Sequence, residues 1–258
     1  MTDSHCHPNC KELRGDAAAL MERARAAGIN RMLIVGCDAE DSALAVRMAN
    51  DYAPYGAYAA VGIHPHEVKR YPDGLPGELK ALACDGRVVA VGEIGLDYHY
   101  DLSPRDAQIK FFELQLAWAR ELNLPVVLHI RDAMDDALSV LRDFTDLKLL
   151  FHCYGGGMKY LGTVLGMGGF CAIGGAVTWK NGGDVREVAA NIPIDRLLLE
   201  TDCPYMTPVP FRGKVNEPSY VKYVYDAVAA IRGVSAAELS AQIDANAAAF
   251  FGWRDGDV

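Results

Sequence analysis

Short apolar runs recur along this chain at 32–36, 57–63, 88–91, 125–130, 147–152, 169–173 and 197–200, and residues 4–6 make an eighth. They are continuous and rich in Val, Leu and Ile, which suits strands of a parallel sheet covered by helices. Stretches of helical character lie between them. Residues 16–27 are Ala-rich and stop at Gly28, and 42–52 runs towards Pro54. Residues 104–122 carry Ile109, Phe112, Leu116 and Ala119 at three- and four-residue steps, one apolar stripe, with Ser103 as N-cap and Pro104 in the first turn. Two further helices, 217–232 and 235–251, close the chain. Eight strands alternating with helices fill a (β/α)8 TIM barrel, for which about 250 residues is typical. The expectation is an α/β single domain over 1–258, without linker, repeat or low-complexity segment. A doubly wound open sheet is the alternative, but it would not bring the first and eighth strand ends together.

Six side chains able to bind a metal stand at or just past the ends of these runs: His5, His7, Glu93, His129, His152 and Asp202. A parallel barrel gathers its strands' carboxyl ends at one rim, so these residues would converge there. His5 and His7 are two apart on a strand, so both imidazoles face the mouth. The same parity turns Cys6, Cys153 and Cys203 towards the helix layer as small apolar residues. Glu93 ends Val-Ala-Val-Gly-Glu, where a bare carboxylate is costly unless paired or metal-bound. Any one of the six reads equally well as a hydrogen-bonded rim residue; all six together favour ligation. Four ligands complete one ion, and three leave a second open to water if one carboxylate bridges. Imidazole and carboxylate without thiolate suit Zn, Mn, Co or Mg. Two divalent ions roughly 3.5–4 Å apart suit phosphodiester hydrolysis, because they stabilise both the attacking and the leaving oxygen.

The net charge of −9 argues against a broad grip on duplex nucleic acid, which needs a basic face. It leaves room for local handling of phosphates by metal ions and a few Arg or Lys side chains. Seven cysteines without paired spacing fit reduced thiols in a reducing compartment. No apolar run approaches the roughly 18 residues of a membrane span, and no signal peptide is read ahead of the first strand. A soluble, cytoplasmic monomer with no membrane partner is expected.

The segments Asp3-Ser-His-Cys-His7, Gly62-Ile-His-Pro-His66, Val91-Gly-Glu-Ile-Gly-Leu-Asp-Tyr98, His129-Ile-Arg-Asp132, Phe151-His-Cys153, Glu200-Thr-Asp-Cys-Pro204 and Arg212-Gly-Lys-Val-Asn-Glu-Pro218 closely resemble the TatD-type metal-dependent deoxyribonucleases of the amidohydrolase-like barrel superfamily. The resemblance runs in order from Asp3 to about Phe250. It implies that His5, His7, Glu93 and Asp202 hold one divalent ion, and that Glu93, His129 and His152 hold a second, with Glu93 bridging. It also implies metal-dependent DNA hydrolysis, commonly 3′→5′ exonuclease action. The chain departs from the family pattern at three places. Asn9 stands where Asp is usual, Gly155-Gly156-Gly157 follow Tyr154 where a hydroxyl residue is usual, and Phe211 stands where His is common.

Asp202 and Glu93 are the candidate catalytic carboxylates, with Asp202 as general base on an attacking water or as a ligand only. Glu200, two residues back, could orient a ligating histidine or be an ordinary buried carboxylate. His64 and His66 are candidates to contact substrate. Arg131 shares the face of His129 and could clamp a phosphate bidentately or pair with Asp132 or Asp135. Arg212 and Lys214 form a short basic stretch after the eighth strand, with Tyr205 and Phe211 near enough to stack on a base. Tyr98 and His99 could line the same mouth. The expected partner is a single-stranded DNA end. The alternatives are hydrolysis of a small amide, lactone or phosphoester, and a non-catalytic metal-stabilised binding module. The first commonly uses a carboxylated lysine as bridge, and no lysine ends a run here. The second expects a closed ligand set.

Overall fold

Eight parallel strands follow one another round a single sheet in the computed structural model, which describes residues 1–253. Residues 254–258 of the expected domain lie outside the described residues. The strands are β1 (Thr2–Cys6), β2 (Arg31–Val35), β3 (Ala57–Val61), β4 (Val88–Asp97), β5 (Val126–Arg131), β6 (Leu149–Phe151), β7 (Phe170–Ile173) and β8 (Leu197–Leu199). Each pairs with the next in sequence order, as the expected (β/α)8 barrel requires. Their Val, Leu, Ile and Ala side chains are almost all buried, because helices cover the outer face and side chains fill the inner one.

The seam between β1 and β8 is closed by side chains as well as backbone. The Ser4 hydroxyl donates to the Leu199 carbonyl (3.0 Å), and the Asp3 carboxyl accepts from the Thr201 amide (2.9 Å) and hydroxyl (2.7 Å). Just beyond β8, the Asp202 amide donates to the His5 carbonyl (2.9 Å), and the His7 amide donates to the Cys203 carbonyl (2.9 Å). The two ends of the sheet are therefore joined at the rim that carries His5 and Asp202.

Nine α-helices are found among the described residues: α1 (Ala17–Ala26), α2 (Ala39–Asp51), α3 (Gly77–Leu82), α4 (Arg105–Leu122), α5 (Met134–Leu141), α6 (Gly157–Gly166), α7 (Gly183–Asn191), α8 (Val221–Arg232) and α9 (Ala236–Phe251). The α2 helix starts earlier than the sequence suggests because the Asp38 carboxylate caps it, accepting from the Asp41 amide at 2.8 Å. Ser235 and Glu238 form a capping box on α9. Pro104 occupies the cap position of α4, and Ser103, expected from sequence to be the cap, does not fill it. Its hydroxyl instead donates to the His66 carbonyl (2.8 Å), tying the loop after β3 to the loop after β4. The α8 helix holds β1 through Tyr225, whose buried hydroxyl donates to the Thr2 carbonyl (2.9 Å) and accepts from its amide (3.0 Å). Burying such a ring stabilises by about 1.5–3 kcal/mol. No helix among the described residues is long and apolar enough to cross a membrane.

One strand differs in a way that shapes the site. The apolar run 88–91 suggests a short β4, but the strand spans ten residues. Glu93 therefore sits mid-strand rather than at a strand end. Glycines carry the strand past the end of that run. A Cβ on Gly92 would lie 2.7 Å from the Val127 Cβ of β5, and Gly95, at φ +143°, sits against the His129 carbonyl. Glu93, Gly95 and Asp97 then share the inner face by strand parity.

Candidate metal centre

Glu93 lies at the middle of the carboxyl rim with its two oxygens turned to different partners. Oε2 is 3.5 Å from His5 Nε2 and 3.6 Å from His7 Nε2. Asp202 completes that side, its Oδ1 3.8 and 3.6 Å from the same two nitrogens. Oε1 is 2.7 Å from His129 Nδ1 and 2.7 Å from His152 Nε2. The six sequence-expected ligands are thus in one cluster, from β1, β4, β5 and the segments just after β1, β6 and β8. Asp202 reaches it from a backbone at φ +52°, in the left-handed region, which swings its carboxylate off the end of β8 into the mouth.

The cluster matches what divalent cations require. Metal–ligand bonds of 2.0–2.1 Å set neighbouring tetrahedral donors roughly 3.3 Å apart, within the range seen here. Facing imidazole nitrogens make the same point. His5 Nε2 and His7 Nε2 are 3.0 Å apart, and His129 Nδ1 and His152 Nε2 are 3.3 Å apart. At that spacing either one ring nitrogen donates to the other or a cation lies between them. The Cys37 thiol stays 3.9 Å from His7 Nδ1, on the ring's other edge, so the donor set is nitrogen and oxygen only.

Electrostatics follow from burial and mutual contact. Burial alone would raise Glu93, yet His152 and His5, with hydrogen bonds from His129 and His152, hold it well below the usual carboxylate range. Burial also opposes ionisation of Asp202, but its hydrogen bond to His7 and the nearby His152 and His5 hold it down. Burial and the neighbouring His152 lower His5. Against burial, Glu93 and Glu200 push His152 well up.

The far nitrogens of His7 and His129 face acceptors and that of His152 lies beside one, whereas His5 Nδ1 makes no hydrogen bond among the described residues. His7 Nδ1 is 3.0 Å from the Val35 carbonyl. His129 Nε2 is 2.9 Å from the Asp97 carboxylate. His152 Nδ1 is 3.5 Å from Glu200 Oε1, which also accepts from the Cys153 amide at 2.6 Å. Glu200 therefore neighbours the His152 ring without a hydrogen bond to it. Such outer contacts set which nitrogen faces a metal.

A cavity of about 980 Å³ opens beside the cluster, reaching His129, His152 and Asp202 and walled by Tyr98, Tyr154, Trp179 and Met206. Arg131 lines it and makes no ion pair among the described residues, resting 4.7 Å over the Tyr100 ring. His64 is buried with Nε2 3.8 Å from Glu93 Oε1. His66 turns to Asp97 (2.9 Å). Tyr205 is 64% exposed at the rim and Arg212 stacks on Trp179 at 4.2 Å, while Lys214 sits 5.6 Å over Phe211. Phe211 itself stacks on Tyr220 (4.4 Å), and His99 pairs with Asp132 (3.1 Å). Cys153 corrects the parity expectation. It follows the end of β6 at φ +41° and lines the cavity, whereas Cys6 and Cys203 are fully buried on the far side.

Two contributors were not singled out from sequence. Trp179 follows β7 on a short 3-10 turn and carries no motif signal. Asp97 did carry one, since it lies four residues after Glu93 on the same strand face.

A parallel eight-stranded barrel with paired histidine and carboxylate donors at its carboxyl rim defines the class of barrel hydrolases that work through divalent cations. Within that class, the chain belongs to the TatD family: the family model described as TatD related DNase matches residues 2–252. The uncharacterized metal-dependent hydrolase YabD of Bacillus subtilis (strain 168) is 39% identical over 251 residues, covering 96% of this chain and 98% of its own. The 3′-5′ ssDNA/RNA exonuclease TatD of Klebsiella pneumoniae (strain 342) is 37% identical over 244 residues, covering 92% of each. The crystal structure of YjjV, a TatD homolog from Escherichia coli K12, superposes with a TM-score of 0.92 at 29% identity, covering 98% of each chain.

Proposed function

We propose that this chain is a divalent-metal-dependent deoxyribonuclease that trims single-stranded DNA from the 3′ end. One observation carries the reading: the two oxygens of Glu93 divide six donors into a four-ligand and a three-ligand set. His5, His7, Glu93 and Asp202 would hold one ion, and Glu93, His129 and His152 a second, drawn from Mg, Mn, Zn or Co. Bound there, two such ions would supply Lewis acidity towards a phosphodiester and ease deprotonation of water. The name of the Klebsiella relative supports the substrate and the polarity.

The chain's own groups then have distinct tasks. Asp202, held ionised and only partly covered, accepts the proton of the attacking water. His64 Nδ1 accepts the His66 amide (3.1 Å), so its Nε2 carries the proton and donates towards a phosphate oxygen. Arg131 binds the phosphate from the cavity wall. His66 lines the approach to it. Tyr205, Arg212 and Lys214 receive the rest of the strand by stacking and charge. The acidic surface suits this short grip on a strand end better than a duplex groove. The working unit is taken as a cytoplasmic monomer, in keeping with seven free cysteines.

The test is a time course on 3′-labelled and 5′-labelled single strands with Mg, Mn, Co or Zn, beside Asp202→Asn. Wild type is expected to shorten strands from the 3′ end only when metal is supplied. The variant should keep the fold and lose about 100-fold or more in rate. Trimming after exhaustive chelation, or full activity of the variant, contradicts the proposal.

A further inference from the structure

His129 is the odd member of the cluster. His5, His7 and His152 present Nε2 to Glu93, whereas His129 presents Nδ1. Its Nε2 points the other way, 2.9 Å from Asp97 Oδ2. The same oxygen is 2.9 Å from His66 Nε2. Asp97 is fully buried, and its other oxygen accepts from the amides of His99 (3.0 Å) and Tyr100 (2.8 Å). Its backbone is fixed too: the amide donates to Gln108 Oε1 (2.8 Å), and Gln108 Nε2 donates to its carbonyl (3.2 Å). The carboxylate therefore has no freedom to turn.

We propose that Asp97 is a positioning residue that fixes the proton of His129 on Nε2, leaving Nδ1 free to ligate, and anchors the substrate-side His66 through the same oxygen. This rests on the two-ion reading given above. A carboxylate accepts from both imidazoles at once, so both rings are donors at Nε2. The arrangement also decides against a third cation among His64, His66 and His129, which lie close enough to form one. The lone pair of His64 Nδ1 is taken by the His66 amide, and the Nε2 atoms of the other two are donating. One carboxylate thus ties a metal ligand to the histidines that meet the substrate.

Asp97→Asn is the sharp variant, because it keeps the shape and spoils the pattern. If the amide NH2 takes the place of Oδ2, it faces two imidazole donors, and His129 must move its proton to Nδ1. If it takes the place of Oδ1, it faces two backbone amides. The expected result in metal titrations is two ions for wild type, with the second bound about 10–100-fold more weakly in the variant and the first unchanged. A second measurement does not depend on the variant folding. In zinc-loaded wild type with 15N-labelled histidine, NMR should show His129 bound through Nδ1 with a proton on Nε2. Ligation by Nε2 in wild type, or unaltered second-ion affinity in Asp97→Asn, overturns the assignment. Wild type that takes up only one ion would instead sink the two-ion reading itself.

Discussion

The imidazoles of His5 and His152 lie face to face, 3.9 Å between centroids and 12° from parallel, although one comes from β1 and the other follows β6. Both Nδ1 atoms are buried without a hydrogen-bond partner among the described residues, and both Nε2 atoms face Glu93. Two imidazolium charges at that spacing repel strongly in a buried site. The stack therefore takes up one added proton, and so one positive charge, at most, on His152, where Glu93 and Glu200 favour it. Cations must displace that proton to bind.

Metal uptake should accordingly be linked to pH. His152, His7 and His129 are all raised above the ordinary imidazole value despite burial, so the metal-free protein carries protons there near neutrality. Calorimetry in buffers of different ionisation enthalpy should show release of about one proton or more per protein at pH 7, with affinity falling as pH is lowered. Uptake without proton release would contradict this charge state.

Glu93→Gln removes the one group common to both donor sets. Uptake of both ions should fall by more than about 10-fold, and hydrolysis by about 1000-fold. The secondary structure by circular dichroism should stay as it was, because the Glu93 amide bond to the Gly36 carbonyl (3.2 Å) is backbone only. A variant that still loads one ion tightly would show that the two sets are independent.

Arg131→Ala addresses substrate rather than metal. Loss of a charged hydrogen bond of roughly 1.5–3 kcal/mol should raise KM for a single-stranded oligonucleotide by about 10-fold or more. The metal titration should be unchanged, since Arg131 makes no ion pair among the described residues and rests on Tyr100. Equal KM for variant and wild type removes Arg131 from the phosphate site.

Asp3 tests the seam by pH. Burial pushes its carboxyl up to about 8, outweighing the hydrogen bonds from Thr201. The folded state then binds a proton that the unfolded chain has already lost above about pH 4. Its contribution to stability is full below that point and is lost as pH rises towards 8. The slope is at most about 1.4 kcal/mol per pH unit. Asp3→Asn keeps the acceptor for the Thr201 amide and should flatten this loss in denaturant titrations of metal-free protein between pH 5 and 8. An unchanged slope would mean that Asp3 is ionised in the fold.

Gly95→Ala joins fold to site. At φ +143° a side chain is strained, and its Cβ would press on the His129 carbonyl. A cost of about 1–3 kcal/mol is expected by thermal or denaturant unfolding, with weaker binding of the second ion because His129 is displaced. Wild-type stability in this variant would show that β4 and β5 can part locally at little cost.

Much of the fold and of the site is legible in the sequence. The apolar runs gave eight strands, and parity placed both His5 and His7 at the mouth. Legibility failed where the backbone leaves regular geometry. Cys153 turned inward because its φ of +41° breaks the alternation, and Asp202 reaches the cluster by a similar bend. Asp97 is hidden in the sequence because two glycines interrupt the apolar run there, masking that β4 continues. Ser103 had the chemistry of a cap, but a tertiary hydrogen bond to His66 claimed its hydroxyl. Trp179 could not be placed from sequence, since only the packing of the loop after β7 sets it beside the mouth.

The join between β1 and the segment after β8 has a consequence for biosynthesis. His5 stands at the first strand and Asp202 just past the eighth, and neither the seam nor the four-donor set exists until both are present. A partly synthesised chain therefore lacks a complete cutting centre, however well its earlier strands have folded.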